Sequence, residues 1–172
     1  DLAGIHLFDP EQDIYNEPFL NDNTCLITGY QRSQGLVFRR GDSRFEDKSI
    51  EEFIEQAIHS DECVMVNRNQ GSGTRILIDQ LLGSAQPTGY AVQARNHNAV
   101  AAAITQGRAD WGMAIENVVD QKLLGFLPVR EEQYDFVVNV DRQQRAAVMA
   151  FQALLEDPQI RDHLQSLGMR MA

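Results

Sequence analysis

The sequence predicts an α/β fold, and three observations carry that expectation. From about residue 60 onward, short apolar runs alternate with helical stripes, the pattern of parallel βαβ units joined by right-handed crossovers. The helical stripes of that stretch end at Gly83 and Gly107, the residue type best suited to closing a helix. The chain has 172 residues, 43% of them apolar and 23% charged, so it can bury one good-sized core or two small ones.

The elements follow in order. Leu2-Ala-Gly-Ile-His-Leu-Phe8 is an apolar run stopped by Asp9-Pro10, which suits a buried strand with its functional end at His6 to Asp9. A loop rich in Asn, Asp and Glu comes next. Thr24 to Tyr30 and Gly35 to Arg39 read as two strands separated by the polar Gln31 to Gln34 and ended by Gly41-Asp42. Ser49 with Glu52 makes a capping box, and Ile50, Phe53, Ile54, Ala57 and Ile58 repeat on one helix face. Cys63 to Val66 is a strand, Gly71 to Thr74 a turn, and Leu77, Ile78, Leu81 and Leu82 a helical stripe. Tyr90 to Ala94 is the next strand. A helix from about Asn98 to Gln106 follows, with Val100, Ala103 and Ile104 inward, and Trp111 to Ile115 is the third strand of the group.

Phe126 to Val129 and Tyr134 to Val140 supply further extended segments. The tail reads as two helices. Asp141 with Gln144 is expected to cap the first, which lines up Val148, Phe151 and Leu155. Asp157-Pro158 starts the second, with Ile160, Leu164 and Leu167 inward.

Composition limits the function. The 15 Lys and Arg against 25 Asp and Glu give a net charge of −10, the wrong sign for a segment that grips a phosphate backbone, so direct nucleic-acid binding is disfavoured. No apolar run approaches the roughly 18 to 20 residues of a membrane span, and nothing reads as a signal peptide. Two cysteines, Cys25 and Cys63, have no zinc-site spacing and read as buried free thiols. The expected compartment is the cytoplasm, with the periplasm as the alternative, because a chain starting at Asp1 is expected to have lost its natural beginning.

The chemically informative stretch is Asn67-Arg-Asn-Gln-Gly-Ser-Gly-Thr-Arg75, between a strand and a helix whose first amides have no intrahelical acceptor. The helix dipole, the Ser72 and Thr74 hydroxyls and the close-approaching glycines suit a dehydrated oxyanion, with Arg68 or Arg75 to add a charge-assisted bond. The same residues also read as a tight βα turn in which Ser72 or Thr74 merely caps the helix. A P-loop is excluded because its Lys is missing, and the dinucleotide fingerprint fails because Ile76 stands where its third Gly belongs.

That loop, extended to Asp79, occurs in order with Ala3-Gly-Ile-His-Leu-x-Asp9, Tyr15-Asn16, Arg32-x-Gln-Gly-Leu36, His97-x-x-Val-Ala-Ala-Ala103-x-x-x-Gly107-x-Ala-Asp110 and Glu132-x-Tyr-Asp135. Together they resemble the PBP-like domain found in molybdopterin-biosynthesis MoeA/LysR substrate-binding-domain proteins, which is related to molybdate- and tungstate-binding proteins. The resemblance implies a type 2 periplasmic-binding-protein fold, two α/β lobes around a cleft. On that pattern residues 44–125 form lobe II, and residues 1–43 plus 126–172 form lobe I. Ser72, Gly73, Thr74 and Arg75 would hold the oxyanion, while His6, Asp9, Arg32, His97 and Glu116 would face the cleft. Relatives usually begin with two more βα units, so lobe I is expected to be incomplete, with the missing part supplied by a second chain or an upstream segment.

Other candidates are plainer. His6, His59, His97 and His163 follow no metal-ligand spacing and, the resemblance apart, read as surface or core residues. Glu131-Glu132 reads as a solvated pair, and Trp111, Tyr15 and Tyr30 as packing residues, although a pterin ring could stack on them. Two functions remain. One is a non-enzymatic binding or sensor domain for a small oxyanion or a molybdenum-cofactor-related compound, with a DNA-binding domain upstream or a homodimeric partner. The other is an accessory domain of a biosynthetic enzyme. Neither implies a resident cofactor or metal.

Overall fold

The structure, a computed structural model, describes residues 1–171 and is an α/β protein. In chain order its strands are β1 (Leu2–Ile5), β2 (Phe8–Asp9), β3 (Ile14–Tyr15), β4 (Thr24–Arg39), β5 (Met65–Arg68), β6 (Gln93–Ala94), β7 (Trp111–Ile115), β8 (Leu124–Asn139) and β9 (Arg170–Met171). The helices are α1 (Ile50–His59), α2 (Gly73–Leu82), α3 (His97–Thr105), α4 (Ala146–Glu156) and α5 (Pro158–Ser166). The chain forms two compact units: unit 1 is Asp1–Arg32 with the stretch from Glu131 onward, and unit 2 is Ser33–Arg130.

Unit 2 is built on strands in the order β8-β4-β7-β5-β6. β4 runs antiparallel to β7, pairing Gln34 with Ile115 and Phe38 with Trp111, while β5 is parallel to both β7 and β6. Strand alternation sends Leu36, Phe38, Met65, Trp111 and Met113 to one face, where they pack with Phe53 and Ala57 of α1 and Leu77 and Ile78 of α2. Val37, Val66 and Ala114 point to the other face, under Val100, Ala103 and Ile104 of α3. Helix α1 starts with the full capping box, Ser49 Oγ accepting from the Glu52 amide and the Glu52 carboxylate accepting from the Ser49 amide. The Asp110 carboxylate accepts from Arg39, Arg44 and the Val64 amide, so the turn before β7 is pinned to the one after β4. From β5 the chain crosses to β6 on one side and then returns to β7 on the other. The strand order therefore reverses at β5, the kind of place where α/β sheets open a crevice beyond their carboxyl ends.

In unit 1, β1 is antiparallel to β8, pairing Leu2 with Val138 and Ile5 with Asp135, and β9 is antiparallel to β4 at Tyr30 and Gln31. Phe8 pairs with Tyr15 in the small β2-β3 ribbon. Ile27, Val138 and Val148 form the core, with Phe136 and Leu155 packed against it. Helix α5 begins as predicted, the Asp157 carboxylate accepting from the amides of Gln159 and Ile160 ahead of Pro158 at the first turn.

The structure corrects several boundaries. The two strands expected at Thr24–Tyr30 and Gly35–Arg39 are one continuous β4, and the segments at Phe126 and Tyr134 are one continuous β8. Polar side chains did not break β4 because its main chain stays in the ladder, Tyr30 and Gln31 against β9 and Gln34 against β7. The first run is two short strands, not one buried strand; Leu2 and Ile5 are only half-buried. At Tyr90 the chain turns, with the amides of Tyr90 and Val92 bound to the carbonyls of Pro87 and Gly89, and only Gln93–Ala94 is extended. Strand β5 begins at Met65 and reaches Arg68, so Cys63 sits in the preceding turn. Helix α4 starts at Ala146; Asp141 lies in a separate 3-10 turn capped by Asn139. Leu167 is exposed. Cys63 is buried and Cys25 half-buried, both as free thiols. Among the described residues no helix is long and apolar enough to cross a membrane.

Candidate ligand-binding site

The parallel strands of unit 2 bring three chain segments to one edge: Arg68 and the Asn69–Ser72 turn after β5, Asn96 and His97 after β6, and Glu116 after β7. The two helices leaving this edge each start with a side-chain cap. Ser72 Oγ accepts from the Arg75 amide at 3.2 Å, and Asn96 Oδ1 accepts from the Ala99 amide at 2.8 Å. The amides of Gly73 and Thr74 belong to the first turn of α2, so helix geometry gives them no intrahelical acceptor. Gly71, at φ 80°, makes the tight turn that lets this backbone come round.

Arg68 is the central cation. Its residue is only 8% exposed, and Nη1 lies 3.0 Å from each ring nitrogen of His97, the first residue of α3. The last polar residue of β5 and the first of α3 thus meet beside two helix N-termini, where the dipoles favour negative charge.

Arg75 is differently placed. Its Nε lies 2.8 Å from both carboxylate oxygens of Asp79, Nη1 donates to the Arg68 carbonyl, and the guanidinium stacks 4.5 Å over the Tyr90 ring, whose hydroxyl also donates to Asp79. Burial alone would lower the Arg75 pKa, but the Asp79 carboxylate and the Tyr90 hydroxyl together outweigh it and raise the value. This arginine locks α2 to the end of β5 and to Tyr90. Ser72 is likewise engaged, since its hydroxyl donates to the Asn69 carbonyl at 3.0 Å while accepting from Arg75. Thr74 is buried, Gly73 and Glu116 half-buried.

His6, Asp9 and Arg32 belong to unit 1. Asp9 is used locally: its carboxylate accepts from the amides of Glu11 and Gln12 and from the Gln12 side chain. His6 and Arg32 converge on Glu132, which is 1% exposed. His6 Nδ1 is 2.8 Å from one carboxylate oxygen and Arg32 Nε bonds the other. Burial pushes the Glu132 pKa up, but the bonds and charges of His6 and Arg32 prevail and hold it below the usual carboxylate value. Tyr134 lies against both partners, stacked on His6 at 5.3 Å and under the Arg32 guanidinium at 4.6 Å, with Tyr30 stacked on it in turn.

The expectation of a solvated Glu131-Glu132 pair is therefore corrected. Adjacent strand residues do face opposite ways, but the inward one, Glu132, is buried and doubly paired, while Glu131 meets Arg170 at the surface. The signal was present in the Glu132-x-Tyr-Asp135 motif. Asp135 explains a second motif, because it accepts from the Asn16 side chain and the Gly29 amide. Trp111 is core, its indole N–H donating to the Cys63 carbonyl.

Comparison with known proteins agrees with this architecture. A model of the PBP superfamily domain matches residues 1–156. The uncharacterized protein YvgK of Bacillus subtilis (strain 168) is 30% identical over an alignment of 154 residues that covers 84% of this chain; the chain spans about half, 48%, of the length of that relative. Among solved structures, an ABC-type phosphate transport receptor from Vibrio cholerae superposes with a TM-score of 0.61 at 12% identity, over 100% of this chain and 80% of its own. A reduced form of OxyR from N. meningitidis gives 0.61 at 14% identity, over 100% of this chain and 74% of its own. The fold is that of type 2 periplasmic-binding proteins, and the chain belongs to the PBP superfamily domain family.

Proposed function

We propose that this chain is a non-catalytic ligand-binding domain whose unit 2 takes a small oxyanion at the carboxyl edge of β5, β6 and β7. The observation that carries the reading is the nearly buried Arg68 guanidinium, set against His97 between the N-termini of α2 and α3. Guanidinium and helix amides are fixed donors that hold an anion without reorganising, the chemistry of holding rather than transforming a ligand. The oxyanion class rests on that geometry and on the likeness to a phosphate transport receptor. The narrower choice of molybdate, tungstate or an anionic molybdenum-cofactor-related compound rests on the motif resemblance. Within this reading Gly73 and Thr74 contribute amides, Ser72 shapes the helix start, and Arg75 holds the loop in place.

The likeness to full-length CbnR complexed with its target DNA, at a TM-score of 0.56 and 10% identity, supports a further part of the proposal: the domain works beside a DNA-binding domain elsewhere in its protein. The same proposal takes that protein to be a cytoplasmic regulator that assembles as a dimer.

Titration calorimetry with molybdate, tungstate, sulfate and phosphate tests the binding reading. At least one should bind, and Arg68→Ala should weaken it at least a hundred-fold, as loss of a charge-assisted fork requires. If none of the four binds to the wild-type chain, or if Arg68→Ala binds as well as wild type, the reading fails.

A further inference from the structure

We propose that Ser33 supplies an additional ligand-binding hydroxyl to this site, from the strand β4; the inference rests on the oxyanion reading above. Ser33 is 4% exposed, and its Oγ is buried with no hydrogen-bond partner among the described residues. A hydroxyl in that position has given up water and received nothing from the fold, a state native proteins rarely keep without a use for the group.

Its position follows from strand register. The last β4–β7 pair is Gln34 with Ile115, so Ser33 lies one step further on, beside the turn that begins at Glu116. Its face follows from alternation. Leu36 and Phe38 enter the core under α1 and α2, whereas Val37 enters the core under α3; Ser33, four residues before Val37, belongs to the α3 face. Arg68 belongs to the same face, two residues after Val66, and its guanidinium meets His97 at the start of α3.

Spacing supports a shared ligand. β7 separates β4 from β5, so Ser33 and Arg68 are about 10 Å apart across the sheet, and their registers differ by about two residues, roughly 7 Å along the strands. A tetrahedral anion gripped by the long Arg68 side chain at the strand ends then lies toward Ser33. The hydroxyl would donate to an anion oxygen that neither helix reaches. Neither the loop motif nor the resemblance assigns this residue a role.

The test is calorimetric titration of the full chain with molybdate, tungstate, sulfate and phosphate, together with melting in their absence. Variants Ser33→Ala, Ser33→Thr and Arg68→Ala are compared with wild type. Ser33→Ala should weaken the best-bound anion on the order of ten- to a hundred-fold, the loss of one bond to a charged group. It should melt at or above the wild-type temperature without anion, since a methyl replaces an unpaired hydroxyl. Ser33→Thr, which keeps the hydroxyl, should bind within a few-fold of wild type. Wild-type affinity in Ser33→Ala, with Arg68→Ala inactive, overturns this inference and leaves the oxyanion reading standing. A Ser33→Ala chain that fails to fold, or that melts several degrees lower with affinity unchanged, assigns the hydroxyl to the fold and also overturns it. Failure of the wild type to bind any of the four overturns both.

Discussion

The side-chain amide of Asn16 donates to the Asp135 carboxylate at 2.8 Å, while its oxygen accepts from the Leu7 amide at 2.9 Å. Asn16 is completely buried and sits at φ 64°, a positive value that is uncommon for a residue other than glycine. A sequence pair widely separated along the chain thus fixes the turn after β3 to β8. Asn16→Ala should leave Leu7 and Asp135 short of partners and remove the side-chain hydrogen bonds that hold this residue at positive φ. The expected loss is about 3 kcal/mol in urea unfolding, and a loss below about 1 kcal/mol would show the pin to be dispensable.

Glu132 makes stability depend on acid. Its pKa in the folded chain lies below the ordinary 4.5, so the stability that the ionised carboxylate gains from Arg32 and from its contact with His6 is present above that value. The contribution should fall away as pH drops below about 4.5 and through the folded pKa. Glu132→Gln should destabilise by about 3 kcal/mol at pH 7, because the half-buried Arg32 is left facing a neutral amide in place of the buried carboxylate. It should also flatten the acid limb of a stability curve measured from pH 6 to 3; an unchanged limb would contradict the assignment.

Ser72 is a helix cap before it is anything else. Its Oγ accepts from the Arg75 amide and gives its proton to the Asn69 carbonyl. Ser72→Ala should cost about 1 kcal/mol in denaturant unfolding. Ser72→Gly should cost only a few tenths, a ranking a purely packing role would not produce.

Arg68 and His97 test the geometry of the proposed anion site. Arg68→Lys keeps the charge but loses the planar fork, so affinity for the best-bound oxyanion should fall about ten-fold while the fold is retained. Equal binding by the lysine variant would mean that charge alone matters. Circular dichroism on the same samples checks that the fold survives.

Helices were the readable part of this sequence. Ser49 with Glu52, Asp157 with Pro158, and the stripes ended by Gly83 and Gly107 carry their own local chemistry, and each lies where it was expected. Strands were less readable. Whether Gln31 to Gln34 break β4 depends on β9 and β7 supplying main-chain partners, and β9 lies more than a hundred residues away. The loop of Asn67 to Arg75 was visible as a strand-to-helix turn, but its division of labour was not. That Arg75 is neutralised by Asp79 and stacked on Tyr90, while Arg68 turns to His97, depends on which side chains the folded strands set beside one another. The burial of Glu132 is hidden from the sequence for the same reason: alternation says that one of two adjacent acids points inward, but only the partners at residues 6 and 32 make that burial tolerable.

The two compact units differ in how the chain supplies them. Ser33–Arg130 is uninterrupted, whereas the other unit is assembled from both ends of the sequence. A ribosome therefore releases everything unit 2 needs while the second half of β8, the neighbour of β1, is still unmade. Until those last residues emerge, β1 and the start of β4 wait with bare edges, the interval in which a newborn chain is most exposed to pairing with the wrong partner.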